Sequence, residues 1–377
     1  MKVVHIFKDF YPPTTGGIEQ HMHLLCGRLA QHVEVTVLVP IRSRSTTDEI
    51  VDGVRVIRAA EFGRYASAPL CPTLPIWLRR LRPDIVHLHF PNPMGDLTYL
   101  LSGWRGPLVL TYHADIIKQR RLLPFYRPVL DALFARVHRI IATSTDYIDS
   151  SAFLSQHRDK CAIVPLGIDY DRLALCNGDH RRVHEIRAQY GDRLVLFVGV
   201  LRYYKGIDVL IRAMAGVRGH VLLAGRGEER HALTALAQEL GVADRVTFAG
   251  EVDDAELRAL YHAADVFVLP SIDRCEAFGL AQLEAMACGR PVIATQLPTG
   301  VRFVNQQDVT GLLVPPRDHV ALGAALDRLL GDSALRARMG AAGRDRVQRE
   351  FGAALMVDRT LAVYDDVLGR ARASTRD

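Results

Sequence analysis

The chain has 377 residues, more than one compact core usually holds, so two domains are expected. Hydrophobic residues make up 49% and charged residues 24%, a balance that excludes a disordered or fibrous protein. The net charge of +5 is lopsided: residues 1–165 hold 20 Lys+Arg against 14 Asp+Glu and the remaining 212 hold 27 against 28, which suggests an anionic partner for the first half.

The first strand is expected at VVHIF (3–7), followed by a helix from about Gly17 to Ala30 whose apolar positions recur at spacings of three and four. Further strands are expected at 33–40, 54–59, 84–90, 108–113, 139–144 and 161–165. Several are bare apolar runs of the kind that parallel sheets bury on both faces. The stretch 166–190 interrupts this rhythm with Gly, Asp and Asn and reads as the join. Beyond it strands are expected at 194–200, 220–225, 245–250, 265–271, 291–295 and 311–316, with helices at 228–240, 253–263 and 279–288 and a closing helical segment at 352–372. Alternating strand and helix implies the α/β class, with two doubly wound, Rossmann-like domains and a cleft between them. No apolar run nears the ~18–20 residues that span a bilayer, and MKVVHIF does not read as a signal peptide. The six cysteines form no CxxC pair and read as buried free thiols of a reducing cytoplasm. The 15 histidines show no zinc spacing, so no metal ligand is assigned.

Ligands of open α/β sheets bind beyond the carboxyl ends of the strands, which directs attention to four loops. Gly16-Gly17 follows the first strand and opens a helix, either a plain helix start or a phosphate-sized anion site. Arg202 and Lys205 lie three residues apart in a loop leading into a helix N-terminus, a natural diphosphate cradle. Glu276 lies in a loop after an apolar strand and Glu284 inside the next helix, too far apart for an acid/base pair. They suit carboxylates gripping two ends of one long ligand through its hydroxyls. His113 ends a strand on the ligand side, and His89 reads more readily as structural.

The motifs GG (16–17), TYHAD (111–115), PLGID (165–169), GVLRYYKG (199–206), AGRGEE (224–229), GEVDDAEL (250–257) and EAFGLAQLE (276–284) followed by CGRPVIAT occur in this order. On them the chain resembles, over essentially its full length, the retaining glycosyltransferases of family 4, which have the GT-B fold. The resemblance implies an N-terminal acceptor domain at 1–175, a nucleotide-sugar domain at 176–352 and a final helix at 353–377 returning to the first domain. It assigns Arg202 and Lys205 to the donor diphosphate and Glu284 to the ribose diol. Glu276, with the backbone of Ala277, Phe278 and Gly279, is assigned to hydroxyls of the transferred sugar, and Leu280 to the donor. Gly16 and Gly17 are expected against the diphosphate or sugar, His113 near the anomeric carbon and primary alcohol, and Glu251, Val252 and Arg226 around the base. It implies retaining, front-face transfer in which cations do the work of a metal, so that no cofactor is required. Asp169-Tyr170-Asp171, superficially like a metal motif, reads as structural.

The stretch 111–144, from TYHAD to IIATS, is similar to that of bacterial mannosyl- and rhamnosyltransferases of lipopolysaccharide O-antigen assembly. This implies a GDP-mannose or GDP-rhamnose donor, with a UDP-sugar as the competitor, and a saccharide or polyprenyl-diphosphate-linked acceptor. A nucleotide-sugar epimerase and a non-catalytic nucleotide-sugar-binding protein are the rival readings. A dinucleotide oxidoreductase is disfavoured because Gly225-Arg226-Gly227 lacks the rest of the fingerprint. The basic stretch 117–139 carries Lys118, Arg120, Arg121, Arg127, Arg136 and Arg139 among Leu122, Leu123, Phe125, Leu130, Leu133 and Phe134, and IWLRRLR (76–82) is a second such stretch. Either is an ordinary solvated helix or a contact with an anionic inner-leaflet surface, giving a cytoplasmic, peripheral location.

Overall fold

The computed structural model describes residues 1–14, 16–65, 68–116, 123–176 and 178–374. Ile117, Lys118, Arg120, Arg121 and Leu122 of the basic stretch lie outside the described residues. In chain order the first part runs β1 (Lys2–Ile6), α1 (Gly17–Leu29), β2 (Glu34–Ile41), β3 (Thr47–Val51), β4 (Val54–Ala60), β5 (Gly63–Tyr65), β6 (Ala68–Leu70), α2 (Leu74–Leu81), β7 (Ile85–Phe90), α3 (Pro93–Ser102), β8 (Leu108–Tyr112), α4 (Leu123–Arg136), β9 (Arg139–Ala142), α5 (Thr145–Ser150) and β10 (Cys161–Ile163). The second part runs α6 (Asp179–Tyr190), β11 (Leu194–Val198), α7 (Ile207–Ala213), β12 (His220–Ala224), α8 (Arg230–Glu239), β13 (Val246–Gly250), α9 (Asp254–Ala263), β14 (Val266–Leu269), α10 (Leu280–Ala287), β15 (Val292–Thr295), α11 (Gly300–Val304), β16 (Gly311–Val314), α12 (His319–Gly331), α13 (Ser333–Glu350) and α14 (Ala353–Ser374).

Two compact units result, Met1–Gly167 with Ala353–Asp377, and Ile168–Gly352. The division falls at Gly167, not at 175, because the residues just after it are anchored on the second unit. Ile168 N–H donates to Phe351 O at 2.9 Å, His262 Nε2 bonds Leu173 O at 2.9 Å, and Arg172 bonds Glu284. With this grouping the first unit holds 24 Lys+Arg and 18 Asp+Glu, so the +6 excess stays there.

The first unit is built on a sheet of order β10-β9-β8-β7-β1-β2-β4-β3. It is parallel except for β3, which pairs antiparallel with β4 at the edge. Every residue of the central strand β7 is buried, as an apolar strand covered on both faces must be. The sequence reading missed β3 because TDEIV is polar, the composition that protects an exposed edge; its Asp48 binds Arg55 of β4 at 2.7 Å. The helix α14 contributes Met356, Val357, Val363, Tyr364 and Val367 to the core formed by Val3, Phe7, Met22, Leu25 and Val109.

The second unit has the order β13-β12-β11-β14-β15-β16, all parallel. Three of its helices, α9, α12 and α13, start at side-chain caps: Asp253 accepts from Glu256 N–H, Asp318 from Ala321 N–H and Asp332 from Leu335 N–H. The core packs α7, α8 and α12 on β11, β12 and β14, with Phe197, Leu210, Leu223, Val268 and Leu326 at its centre.

No two cysteines are bonded, and only Cys26, Cys71 and Cys288 are buried, fewer than the six expected. Within α4 the residues Leu130, Leu133 and Phe134 face the interior, so they are not available to a membrane. Arg139 is committed to Asp366 of α14 at 2.7 Å, while Phe125 remains 85% exposed. In α2, Leu74 and Leu78 are buried and Ile76 is half exposed. No helix among the described residues is long and apolar enough to cross a membrane.

Candidate functional site

The second unit gathers six of its expected residues, Arg202, Lys205, Glu276, Ala277, Phe278 and Gly279, in loops at the carboxyl ends of β11 and β14. The loop after β11 turns at Gly206, whose φ of +65° and whose closeness to Pro270 O exclude a side chain. This turn lets Lys205 Nζ reach Glu276 Oε2 at 2.5 Å. Ser271 Oγ donates to the same oxygen at 3.0 Å. Burial works most strongly against the ammonium charge, but the Glu276 carboxylate and Tyr204 together outweigh it and raise the Lys205 pKa above the ordinary value. Arg202 is exposed beside this pair and makes no ion pair among the described residues.

The loop carrying Glu276 is pinned from below. Thr299 Oγ1 donates to Glu276 O at 2.9 Å, Gly300 N–H to Ala277 O at 2.8 Å and Gln282 Nε2 to Phe278 O at 2.7 Å. Gly279 starts α10 at φ +78°, where a Cβ would strike Leu269. The N–H groups of Ala277, Phe278 and Gly279 make no hydrogen bond among the described residues and stand, with Leu280, at the N-terminus of α10. An ammonium and a helix N-terminus close together favour a bound anion.

Glu284 lies one turn into α10 and is 9% exposed. Tyr261 OH donates to its Oε2 at 2.8 Å and Arg172 to its Oε1 at 2.9 Å. Sequence reasoning missed both partners. Arg172 follows Asp169-Tyr170-Asp171 in a short turn, and nothing in its local sequence marks the contact. Glu251 and Val252 line a hollow beside α6, and Arg226 meets Glu251 in an exposed ion pair at 3.3 Å. The loops after β11 and β12 are locked together by Leu201 N–H donating to Arg226 O at 2.8 Å.

In the first unit Gly16 caps α1 in extended conformation, and the Glu19 carboxylate folds back over it, placing the protein's own anion at that helix end. Gly17 is open. His113 follows β8 and is 3% exposed. Its Nε2 bonds His89 Nδ1 at 2.9 Å, and His89 Nε2 bonds His5 Nδ1 at 3.0 Å. Tyr364 OH bridges His5 Nε2 at 3.2 Å and His87 Nδ1 at 2.6 Å, and His87 Nε2 meets Thr111 Oγ1 at 2.7 Å.

Register explains the chain. His87 and His89, like Thr111 and His113, are two residues apart and so share a face, while His5 pairs with His87 and His89 with Thr111 across parallel ladders. Burial pushes the pKa of His5 down to about 3, with His21 adding to the effect, and that of His21 down to about 4. Burial foremost, and then neighbouring cations and histidines, hold His87, His89 and His113 well below the ordinary imidazole value. Nitrogens of His5, His87 and His89 lie within 4.8 Å of one another, a cluster with the atoms of a metal site. All six ring nitrogens are already bonded, and the His87 and His89 rings stack at 4.7 Å and 9°, so their lone pairs run side by side and do not converge. The readable signal for this cluster was the alternation in HLH and VHI, which strand period turns into one face.

Residues 15–172 match the family described as Glycosyltransferase Family 4, and residues 180–346 match Glycosyl transferases group 1. The chain is 33% identical over 373 residues to the O-antigen chain mannosyltransferase C of Escherichia coli, covering 98% of this chain and 99% of that one. It is 35% identical over 329 residues to the D-rhamnosyltransferase WbpZ of Pseudomonas aeruginosa, covering 86% of each. Among solved structures, sucrose-phosphate synthase from Thermosynechococcus elongatus superposes with a TM-score of 0.81 at 25% identity, covering 98% of this chain and 99% of that one. The fold is therefore GT-B, and the chain belongs to glycosyltransferase family 4.

Proposed function

We propose that this glycosyltransferase moves a mannose- or rhamnose-type hexose from a GDP-sugar, with retention of configuration, onto a saccharide or polyprenyl-diphosphate-linked acceptor of O-antigen synthesis. The observation that carries the chemistry is the Lys205–Glu276 pair set at the N-terminus of α10. The choice of sugar and pathway is supported by the 33% identity to an O-antigen mannosyltransferase along nearly the whole chain.

As the bond between C1 of the sugar and the diphosphate breaks, positive charge grows on the ring and negative charge on the leaving oxygen. Lys205, Arg202 and the N–H groups at Ala277–Leu280 stabilise that oxygen. Glu276 holds sugar hydroxyls and Glu284 the ribose diol, each as a hydrogen-bond acceptor. The acceptor hydroxyl oxygen bonds to C1 on the face the diphosphate leaves, and its proton goes to the departing phosphate oxygen. No metal ion is required in this scheme. The basic first unit, with Phe125 and Ile76 exposed, meets the anionic surface of the cytoplasmic leaflet.

The test is a transfer assay with GDP-mannose, GDP-rhamnose and UDP-hexoses, with and without EDTA, and an NMR reading of the product anomer. GDP-sugar turnover that survives EDTA and gives the retained anomer is expected. Turnover with UDP-hexoses alone overturns the donor assignment, and an inverted anomer overturns the mechanism. Flotation with anionic liposomes at low salt checks the surface contact, and failure to float refutes it.

A further inference from the structure

The six-membered chain Thr111–His87–Tyr364–His5–His89–His113 has a direction. A neutral imidazole owns one N–H and one lone pair. With both nitrogens bonded along the chain, the protons have only two arrangements: all donate toward His113, or all donate away from it. Tyr364, between His87 and His5, transmits the direction without choosing it, because a hydroxyl can accept on either side and donate on the other.

Thr111 chooses. Its Oγ1 has His87 as its one hydrogen-bond partner among the described residues, and the residue is 2% exposed. If His87 donated to it, the threonine's own O–H would point into the core with no acceptor, and a buried unmet donor is costly. If Thr111 donates, only lone pairs on its oxygen are idle. We infer that Thr111 is the donor end of the chain, so that His87, His5, His89 and His113 all carry their proton on Nδ1. His113 then presents Nδ1–H, which has no partner among the described residues, as a fixed hydrogen-bond donor to a ligand oxygen.

The same end stops the chain from conducting protons. To send a proton out through His113 and refill it along the chain would leave Thr111 as an alkoxide, which a hydroxyl buried among neutral groups does not become. Burial also keeps the imidazoles neutral, and one proton per ring is what the direction requires. His113 is thus a donor to a sugar hydroxyl or a phosphate oxygen, not a general base, and Thr111 and Tyr364 are positioning residues that act through it. Only the identity of the ligand rests on the proposed function.

The full chain labelled with 15N-histidine reads the tautomers directly through long-range 1H–15N correlations, with His113 assigned from the signal lost in His113→Asn. Four neutral rings of the Nδ1–H type are expected, although free imidazole side chains favour Nε2–H, and Thr111→Ser is expected to keep the pattern because it keeps the hydroxyl. A His113 ring protonated on Nε2 overturns the inference. So does stoichiometric Zn2+ binding that shifts His5, His87 and His89 together.

Two substitutions test the donor role. Asparagine at 113 puts an amide N–H near the place of Nδ1, and glutamine puts it near Nε2. His113→Asn is expected to raise the KM for the sugar donor less than His113→Gln does, by about 3-fold against about 10-fold, the scale of one hydrogen bond. Equal losses overturn the role. Lack of any transfer by the unaltered chain overturns the proposed function alone, because the tautomers are read without a sugar present.

Discussion

The two units solve the placement of polar groups in opposite ways. In the second, Lys205 faces Glu276 and Arg172 faces Glu284, so charge is held by opposite charge on loops and within the short helix α10. In the first, four neutral histidines, a tyrosine and a threonine satisfy one another inside the core, with no ion among them. Ion pairs on loops tolerate a ligand that replaces one partner. A buried neutral chain tolerates no change in its proton count, so the first unit should be rigid where the second is adaptable.

Acid exposes this difference most strongly. His5, His21, His87, His89 and His113 have folded-state pKa values below the ordinary value near 6.5. Below that pH the unfolded chain binds protons that the folded unit does not. Their stabilisation is complete above about 6.5 and is lost as pH falls toward about 4 and 3, the values for His21 and His5. Each fully differing imidazole adds about 1.4 kcal/mol per pH unit to the slope. In the second unit only the half-buried His220 and His262 are lowered. Hydrogen exchange followed by mass spectrometry between pH 7 and 4.5 should show the first unit losing protection well before the second. Simultaneous loss in both would break the comparison.

The next largest effect belongs to the charged pair. Lys205→Ala should lower kcat by about 10²–10³, the scale of losing one group that stabilises developing charge. It also strands Glu276, so Arg202→Ala is the cleaner companion, since Arg202 is exposed and carries no ion pair among the described residues. Turnover preserved in both would remove the second unit's cations from the chemistry.

Sequence order was enough for the parts of this comparison that are local. Arg202, Lys205, Glu276 and Glu284 lie in strand–loop–helix units whose glycines, such as Gly206 and Gly279, must sit where they do for the loop to close. Most strands were legible for the same reason, since apolar runs bounded by turns need no distant information. Beyond His113 the alternation in HLH and VHI was legible but the chain of bonds was not, because it depends on which strands are neighbours: β1 and β8 are separated by 101 residues of chain yet both flank β7 in the sheet. Tyr364 was more hidden still, a single aromatic on the last helix. The polar edge strand β3 failed for the converse reason, since its residues obey edge protection and not burial.

Glu284→Gln sharpens the comparison at a smaller scale. The amide keeps the size of the side chain but halves its accepting capacity and removes its charge. Hydrogen bonds to a charged acceptor contribute about 1.5–3 kcal/mol, so nucleotide affinity should fall roughly 10- to 100-fold by calorimetry. Unchanged affinity would show that Glu284 serves Arg172 and Tyr261 and not the ribose.

Arg172→Met is expected to have the smallest effect, in the opposite direction. The arginine side chain is 49% exposed and its carboxylate partner 11%, so the pair lies at the wet end of the range, worth at most about 1 kcal/mol. A ribose diol that donates to Glu284 competes with Arg172 for Oε1, whereas Oε2 stays with Tyr261 OH at 2.8 Å. Removing the arginine therefore frees one oxygen without stranding the carboxylate, and nucleotide affinity should rise by up to about 5-fold. A fall in affinity would mean that Arg172 itself contacts the nucleotide. The charges around Glu276 and Glu284 would then all be ligands, with none serving merely to hold a carboxylate until the donor arrives.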